Sequence, residues 1–307
     1  MLSEAAFECP SALLDKARAA KPAATAIAGA DGRVALESAR RATEAGLIEP
    51  HLVGDPAAIA GVAREIGWDT AGLRVEAAAD ENDAARRAVA LARGGEVAAL
   101  MKGQVHTDAL MRAVVNREAG LRTGRRISHV FHLTIPGRAG SLSITDAAVN
   151  VAPDTEAKLD LLRNALDLLQ ALGNATPKVA VLSATETPIP AMPSSQDAAE
   201  VVARARSEVP GLAIDGPLAL DVAVSPAAVA IKGLDSPVAG QAELLLVPNI
   251  ETGNALFKAL VCYCSATAAG LVVGASVPIV LTSRADPPEA RLAATALAAI
   301  AAANPVS

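Results

Sequence analysis

The amino-acid sequence predicts an α/β protein with a mainly parallel sheet. Short β-branched runs alternate along the 307 residues with longer Ala- and Leu-rich segments of helical periodicity. Each predicted strand is followed by a polar loop. Aromatic residues make up 2% of the chain and apolar residues 52%. Aliphatic side chains must therefore fill the core, which suits helices packed closely against a sheet.

The first elements with clear ends lie in the first half of the chain. A helix over 80–93 is followed by a buried strand over 97–101. Lys102-Gly103 then turns the chain at the carboxyl end of this strand, and Thr107 is expected to cap the next helix. Strand-end loops of this kind are where α/β proteins place ligands.

The second half of the chain repeats the alternation. Residues 127–135 and 141–149 are predicted strands of a hairpin. A helix that begins at residue 155 carries leucines at helical spacing until Gly173 stops it. Further strands, each ahead of a polar loop, are predicted over 179–182, 212–214, 244–247 and 279–281.

Composition and charge argue against several classes of protein. A net charge of −6 does not suit a protein whose main partner is nucleic acid. Three cysteines without a CxxC pair fit a reducing cytoplasm better than a disulfide framework or a zinc site, and the N-terminus lacks the pattern of a signal peptide. The uncharged stretch 259–283 is long enough to span a bilayer, but its Gly, Pro and Ser residues favour a buried helix, a turn and a strand. We expect no membrane association.

Common catalytic fingerprints are missing from the sequence. It contains no GxGxxG after a strand, no GxxxxGK[ST], no HExxH and no GxSxG. His129 and His132 are three residues apart, but on a strand such side chains point to opposite faces. Ordinary packing roles are therefore favoured over a metal site for these histidines.

The sharpest candidate for chemistry is Ser283-Arg284, which follows the apolar strand residues Val280-Leu281. Arginine offers a rigid fork of donors that matches phosphate, and a serine hydroxyl can donate to a leaving oxygen as charge develops there. A helix capped by Ser283 with a surface arginine explains the same residues. Spacing alone leaves both interpretations open.

Other strand-end loops carry polar residues that would share one side of a parallel sheet. Gly253-Asn254 near a helix N-terminus suggests an anion site on free backbone N–H groups, and helix capping is the alternative. The loops contain Lys102-Gly103 with His106; Asp215-Gly216-Pro217 with Asp221; and Asn249, Glu251, Gly253, Asn254 and Lys258.

Taken in order, these segments resemble the phosphate acetyl/butyryltransferase family over nearly the whole chain. Seven motifs in the family's order are far more specific than any single one. They most resemble the acyltransferase domain that often follows an enoyl-CoA hydratase-like domain in fused proteins, and phosphate butyryltransferases. The motifs are Met101-Lys102-Gly103 and residues 120–130, 144–150, 177–186, 215–221, 247–258 and 281–286.

The resemblance implies an isocitrate dehydrogenase-like architecture of two α/β sub-domains with an intervening cleft, and a homodimer or higher homo-oligomer. We place the first sub-domain at residues 1–138, completed by a C-terminal helix over 285–307, and the second at 139–284. The resemblance also implies that coenzyme A is a substrate, that acyl-CoA, acyl phosphate and inorganic phosphate are the partners, and that no metal or permanently bound cofactor is needed.

In this family the coenzyme A thiol, deprotonated by a carboxylate, attacks the carbonyl of an acyl phosphate directly. Carried over, Ser283 donates to the leaving phosphate and Arg284 neutralises it. The best-studied acetyltransferases have their proposed base seven positions after the serine, where this chain has Ala290. Asp286 becomes the candidate base, because a three-residue step within a first helical turn would bring it near Ser283.

The remaining candidates bind substrate or replace the base. Arg112 and Arg122 lie in the family's basic first-domain region and match phosphate groups, although solvated surface charges are an equal alternative. Glu186 or Asp221 could supply the base from another loop. The predicted substrate-binding residues are Lys102, Arg112, Arg122, Asn249, Gly253, Asn254 and Lys258.

Two other functions compete with acyl transfer. A hydroxy-acid dehydrogenase of the same architecture would need a divalent metal held by several acids, and the sequence shows no close Asp cluster for it. A non-catalytic coenzyme A-binding protein would explain Ala290 at the position of the base. The acyl chain length stays open from sequence.

Overall fold

The chain folds into two units, seen in a computed structural model that describes residues 2–3, 6–282 and 286–305. We name the two units by their places in the sequence. The outer unit consists of Phe7–Ile127 and Ala269–Ser307, and the central unit of Ser128–Ala268 with Met1–Ala6. Each unit combines strands and helices, which confirms the predicted α/β class. The sub-domain boundaries at 138/139 and 284/285 stay a prediction.

Helices and strands alternate along the described chain as the sequence predicts. In chain order they are α1 Ser11–Arg18, β1 Ala23–Ala28, α2 Arg33–Glu44, β2 Ile48–Gly54, α3 Pro56–Ile66, β3 Arg74–Ala77, α4 Glu81–Arg93, β4 Ala99–Lys102, α5 Thr107–Val114, β5 Ser128–Thr134, β6 Ser141–Thr145, α6 Thr155–Ala171, β7 Val179–Leu182, α7 Pro193–Glu208, β8 Ile214–Leu218, α8 Leu220–Val224, α9 Pro226–Lys232, β9 Leu244–Leu246, α10 Ile250–Cys264, β10 Thr267–Val273, β11 Ile279–Val280 and α11 Pro288–Ala303.

Strands of the outer unit lie in the order β3-β2-β1-β4-β11-β10. All neighbours are parallel except β10 and β11, which are antiparallel. Because β1 and β4 are parallel, Ala28 and Lys102 lie side by side at the carboxyl ends of their strands. The loops that follow these two strands therefore leave the sheet at the same edge.

Strands of the central unit lie in the order β5-β6-β9-β7-β8. The predicted hairpin is confirmed, because β5 and β6 pair antiparallel. The other neighbours are parallel, so β6, β7 and β9 end at a common edge. The segments after Thr145 and Leu246, which carry Asp146 and Asn249, leave the sheet from this edge.

Polar caps explain where several helices begin. The side chain of Asp80 accepts a hydrogen bond from the backbone N–H of Asp83 at the start of α4, and Asp154 accepts one from Ala157 at the start of α6. Both satisfy donors that a helix N-terminus leaves unpaired. These two predicted starts are confirmed. The predicted cap at Thr107 is wrong, because α5 begins with Thr107 itself and its N-cap is His106.

One strand runs further than the sequence predicts. A strand over 212–214 was expected to end before Gly216-Pro217, whereas β8 continues through both residues to Leu218. Its pairing with β7 shifts register between Ala180 and Leu182, so Pro217 falls at an irregularity of the ladder. Since β8 is the last strand of its sheet order, a proline without an N–H group is tolerated there.

The uncharged stretch 259–283 forms the elements that its Gly, Pro and Ser residues favour. It contains the end of α10, then β10 and β11, rather than one long helix. In the described part of the chain, no helix has the length and apolarity to cross a membrane.

Candidate active site

The loop after β4 packs directly on the loop after β1 in the outer unit. The backbone N–H of Gly103 donates to the carbonyl of Ala28 at 2.8 Å, and that of Gln104 donates to Gly29 at 2.7 Å. A Cβ atom at position 103 would lie 2.3 Å from the carbonyl oxygen of Gly29, closer than atoms can approach. Gly103 is therefore required for this packing, which fixes where Lys102 is presented.

Lys102 is half-buried at the carboxyl end of β4, as the sequence predicts. Its Nζ donates to the carbonyl of Val105 at 3.2 Å and lies 3.4 Å from that of Gly103. The ammonium group is held by the strand-end loop and does not extend freely into solvent. A cation in this position is suited to an anionic substrate group.

A small pocket with a cavity volume of about 20 Å³ opens at this edge of the outer unit. Two of its lining residues are cationic, Lys102 and Arg291, and the hydroxyls of Ser38, Thr282 and Thr295 add polar groups. Among the described lining residues none is an aspartate or glutamate. The pocket therefore favours an anion.

The two residues of the sharpest motif, Ser283 and Arg284, lie outside the described residues. Thr282, which precedes them, lines the pocket, and Asp286, which follows, is half-buried with its backbone carbonyl accepting a hydrogen bond from Arg291 Nη1. The helix α11 begins only at Pro288. Asp286 therefore precedes the helix, and the expected three-residue helical step from Ser283 does not apply.

The two candidate arginines of the outer unit are both exposed. Arg112 lies in the last turn of α5, and Arg122 forms an isolated antiparallel bridge with Ala275. Their backbone positions are fixed, while their guanidinium groups face solvent. Their role in substrate binding stays a prediction.

The central unit contains a buried carboxylate that organises a turn. Asp146 is 1% exposed, and its Oδ1 accepts hydrogen bonds from the backbone N–H groups of Ala148 and Val149 at 2.8 and 2.9 Å. Its Oδ2 accepts from the N–H of His129 at 3.1 Å and from Asn150 Nδ2 at 2.7 Å. These bonds compensate for removing the carboxylate from water and fix the turn after β6.

The first turns of α10 rest on this turn. A Cβ at Gly253 would lie 2.7 Å from the carbonyl oxygen of Asp146 and 2.8 Å from the Cβ of Ala147. Asn254 Nδ2 donates to the carbonyl of Ala147 at 3.2 Å. Asn254 and Lys258 are four residues apart on α10, so both lie on one face of the helix. Asp146 thus indirectly places two predicted substrate-binding residues.

Backbone donors at the start of α10 are largely occupied. The N–H of Ile250 donates to Val151, and the N–H of Thr252 donates to the side chain of Asn249. The N–H of Gly253, which the sequence suggested for an anion, donates to the carbonyl of Asn249 at 3.2 Å. Gly253 therefore serves close packing and Asn249 is the helix cap.

The two alternative bases both contact one lysine. Lys232 Nζ lies 2.9 Å from Glu186 Oε1 and 3.6 Å from Asp221 Oδ2, and the hydrogen bond that it donates to Glu186 raises the pKa of Lys232. The ion pairs hold both carboxylates in contact with a cation.

Both histidines of β5 have pKa values below the ordinary range. Burial lowers the pKa of His129, which is 1% exposed, and lowers that of His132 to about 4. The ring of His129 packs against Phe131 with centroids 4.4 Å apart, and Phe131 stacks on Phe257 of α10. No group of three or more His, Cys, Asp or Glu in residues 2–3, 6–282 and 286–305 is placed to hold a metal ion.

Comparisons with known proteins identify the class to which this chain belongs. A family model described as "Phosphate acetyl/butaryl transferase" matches residues 70–299. A phosphate acetyltransferase of Rhizobium meliloti is 48% identical over 293 residues, which cover 95% of this chain and 93% of that protein. A phosphate butyryltransferase of Clostridium acetobutylicum is 40% identical over 280 residues, 91% of this chain and 93% of the relative.

A solved structure agrees with the sequence relatives. The crystal structure of a branched-chain phosphotransacylase from Enterococcus faecalis V583 matches with a TM-score of 0.80 at 33% identity, covering 91% of this chain and 99% of that one. With this fold and these relatives, the chain is an acyltransferase. It belongs to the phosphate acetyl/butyryl transferase family, and the predicted resemblance is confirmed.

Two residues of structural importance could not be singled out from the sequence. Among the sequence-based candidates, Asp146 appears only within the motif over 144–150, and Arg291 does not appear. An aspartate followed by small residues directly after a strand, as in Asp146-Ala147-Ala148, indicates a side chain that accepts hydrogen bonds from the backbone of its own turn. Arg291 carries no such signal, because its partners Ser38 and Asp286 are distant or backbone groups.

Proposed function

We propose that this chain transfers a short acyl group reversibly between coenzyme A and inorganic phosphate. Acyl-CoA, acyl phosphate and phosphate are then its substrates, and coenzyme A is not a bound cofactor. The observation that carries the proposal is identity of 48% and 40%, over more than nine-tenths of the chain, to a phosphate acetyltransferase and a phosphate butyryltransferase. The cationic Lys102 in the pocket supports an anionic substrate.

The proposed reaction is a direct displacement. The coenzyme A sulfur, as thiolate, forms a bond to the carbonyl carbon of the acyl phosphate, and the bond from that carbon to the phosphate oxygen breaks. Phosphate leaves with the electron pair, and the thiol proton goes to a base. A thiol with an ordinary pKa near ~8.5 is mostly protonated at neutral pH, so a base assists the attack.

Roles for the central motif follow from this displacement. Ser283 donates a hydrogen bond to the leaving phosphate, and Arg284 neutralises its charge. Asp286 is the proposed base, because Ala290 has no ionisable group and is buried at 5% exposure. The alternatives Glu186 and Asp221 both form ion pairs with Lys232.

Each unit contains residues that we propose to bind substrate. In the outer unit, Lys102, Arg112 and Arg122 offer cations for phosphate groups of acyl phosphate or coenzyme A. In the central unit, the proposed residues are Asn249, Gly253, Asn254 and Lys258, at the start and on the face of α10. The preferred acyl chain length is measured by comparing acyl-CoA substrates in the assay that follows.

The experiment is a coupled assay of thiol release from acetyl-, propionyl- and butyryl-CoA with and without phosphate. Release that requires phosphate and falls by ~10²-fold or more in Ser283→Ala, the scale of losing one transition-state donor, supports the proposal. Equal thermal stability of the variant excludes a folding defect. Absence of phosphate-dependent release from all three substrates contradicts the proposal.

Two further measurements separate the competing functions. Coenzyme A binding by calorimetry without any turnover would indicate a non-catalytic coenzyme A-binding protein. Oxidation of a hydroxy acid that chelators abolish would indicate a metal-dependent dehydrogenase.

The proposal extends to location and assembly. Cys9, Cys262 and Cys264 are all unpaired, as expected in a reducing cytoplasm. A homodimer or higher homo-oligomer is proposed from the family resemblance. Light scattering on the purified chain measures the assembly, and a monomeric mass for the active enzyme would contradict it.

A further inference from the structure

Arg291 joins two segments of the outer unit at the pocket. It lies in the first turn of α11, and its Nε donates to the Oγ of Ser38 on α2 at 3.0 Å. Its Nη1 donates to the backbone carbonyl of Asp286. One guanidinium group therefore bonds to α2 and to the residue that follows the Ser283-Arg284-Ala285 motif.

The partner on α2 is itself held in place. The Oγ of Ser38 donates to the carbonyl of Val34 at 2.7 Å, so its proton is engaged and its lone pairs are available to Arg291. A serine that bonds to the carbonyl one turn earlier has a fixed hydroxyl. The anchor for Arg291 is thus part of the helix and not a loose surface group.

Arg291 is partly withdrawn from solvent. Burial lowers its pKa, although the nearby Asp286 carboxylate opposes that effect. A guanidinium removed from water must be compensated by hydrogen bonds, and the two described acceptors are Ser38 Oγ and the Asp286 carbonyl. The rigid planar fork of arginine suits two acceptors in fixed positions.

A second contact lies beside the first but does not reach the motif. The Nη2 atom of Arg41 on α2 lies 3.3 Å from Oε1 of Glu289 on α11. This ion pair joins the same two helices and does not involve Asp286. This pair provides a matched control, since its loss should affect helix packing alone.

We propose that Arg291 is a positioning residue that holds the proposed base Asp286 through its backbone carbonyl, and so raises kcat. This inference rests on the proposed acyl transfer. Thr282, which follows β11, lines the same pocket as Arg291. Catalytic groups misplaced by about 1 Å can lose about 10²-fold in rate.

The test compares Arg291→Met, which keeps the aliphatic stem without donors, with Arg291→Lys, Ser38→Ala and the control Arg41→Gln. We expect kcat to fall by roughly 10- to 100-fold in Arg291→Met, with KM for phosphate and acyl-CoA changed by less than about threefold. Arg291→Lys should recover part of the loss, Ser38→Ala should lose less than Arg291→Met, and Arg41→Gln should match wild type.

Two results would overturn the inference. A kcat for Arg291→Met within about threefold of wild type removes the positioning role. A raised KM for phosphate at unchanged kcat means that Arg291 binds the substrate directly.

A second measurement separates this inference from the proposed function and does not depend on activity. If wild type shows no phosphate-dependent thiol release, the proposed function fails, and amide exchange of the 282–291 segment then tests the positioning. Faster exchange in Arg291→Met and Arg291→Lys than in wild type and Arg41→Gln supports it, and equal exchange in all four contradicts it. If Arg291→Met does not fold, Arg291→Lys and Ser38→Ala give the same comparison.

Discussion

Replacing Gly253 with alanine tests whether the start of α10 rests on the Asp146 turn as the structure indicates. The new Cβ would lie 2.7 Å from the carbonyl oxygen of Asp146, and 2.8 and 3.0 Å from the Cβ and Cα of Ala147. Backbone oxygen and a Cα atom cannot rotate away as a flexible side chain would. Either α10 or the turn must move.

Two opposite effects set the size of the change. Alanine is more favourable than glycine inside a helix by about 1 kcal/mol, whereas overpacking costs roughly 1–3 kcal/mol. We expect the free energy of unfolding of Gly253→Ala to be lower than that of wild type by up to about 2 kcal/mol. Gly61 on α3 is the matched control, because a Cβ there meets no atom within 4 Å. Gly61→Ala should gain about 1 kcal/mol.

The assay combines denaturant unfolding with kinetics. Because Asn254 and Lys258 move with α10, Gly253→Ala should also lose roughly tenfold or more in kcat/KM, while Gly61→Ala keeps wild-type kinetics. If Gly253→Ala is stabilised as much as Gly61→Ala and stays fully active, the close packing of α10 on the turn is refuted.

Three further predictions concern neighbouring residues. Asp146→Asn should lower the free energy of unfolding by about 2–5 kcal/mol, because an amide NH₂ replaces one acceptor and faces donors whichever way it is turned; an unchanged denaturant midpoint would contradict this. Burial lowers the pKa of His129 in the folded state to about 4, below the ordinary value of about 6.5 that applies to the unfolded chain. The contribution of His129 to stability is therefore complete above about pH 6.5 and is lost as the pH falls towards 4, by about 1.4 kcal/mol per pH unit. His129→Phe should lose less stability than wild type over this pH range, and an equal loss would refute the assignment. Gly103→Ala should displace Lys102 and raise KM for a phosphate-bearing substrate by about tenfold or more, whereas an unchanged KM would mean that Lys102 does not bind it.

Local signals were sufficient to predict much of the fold. Asp80 and Asp154 cap helices because a short acidic side chain reaches its own helix start, which involves only neighbours in sequence. The strand over 179–182 is bounded by turn residues and is observed with the same ends. The family was recognisable for the same reason, since each motif is a contiguous strand end and loop.

Features that depend on distant partners could not be predicted. The length of β8 depends on a register shift opposite β7, which no property of Gly216-Pro217 reveals. The helical step assigned to Asp286 failed because Pro287 and Pro288 delay the start of α11. An anion site at Gly253 was suggested by its place near a helix start, but Asn249 already accepts its N–H.

The proposed reaction passes the acyl group directly between thiol and phosphate. Exchange of isotopically labelled phosphate into acyl phosphate tests this most directly, with the acyl group whose acyl-CoA reacts fastest. We expect exchange only when coenzyme A is present, because phosphate can leave only when a thiol attacks. Exchange without coenzyme A would reveal a covalent acyl-enzyme, and no exchange under either condition would contradict phosphate acyl transfer altogether.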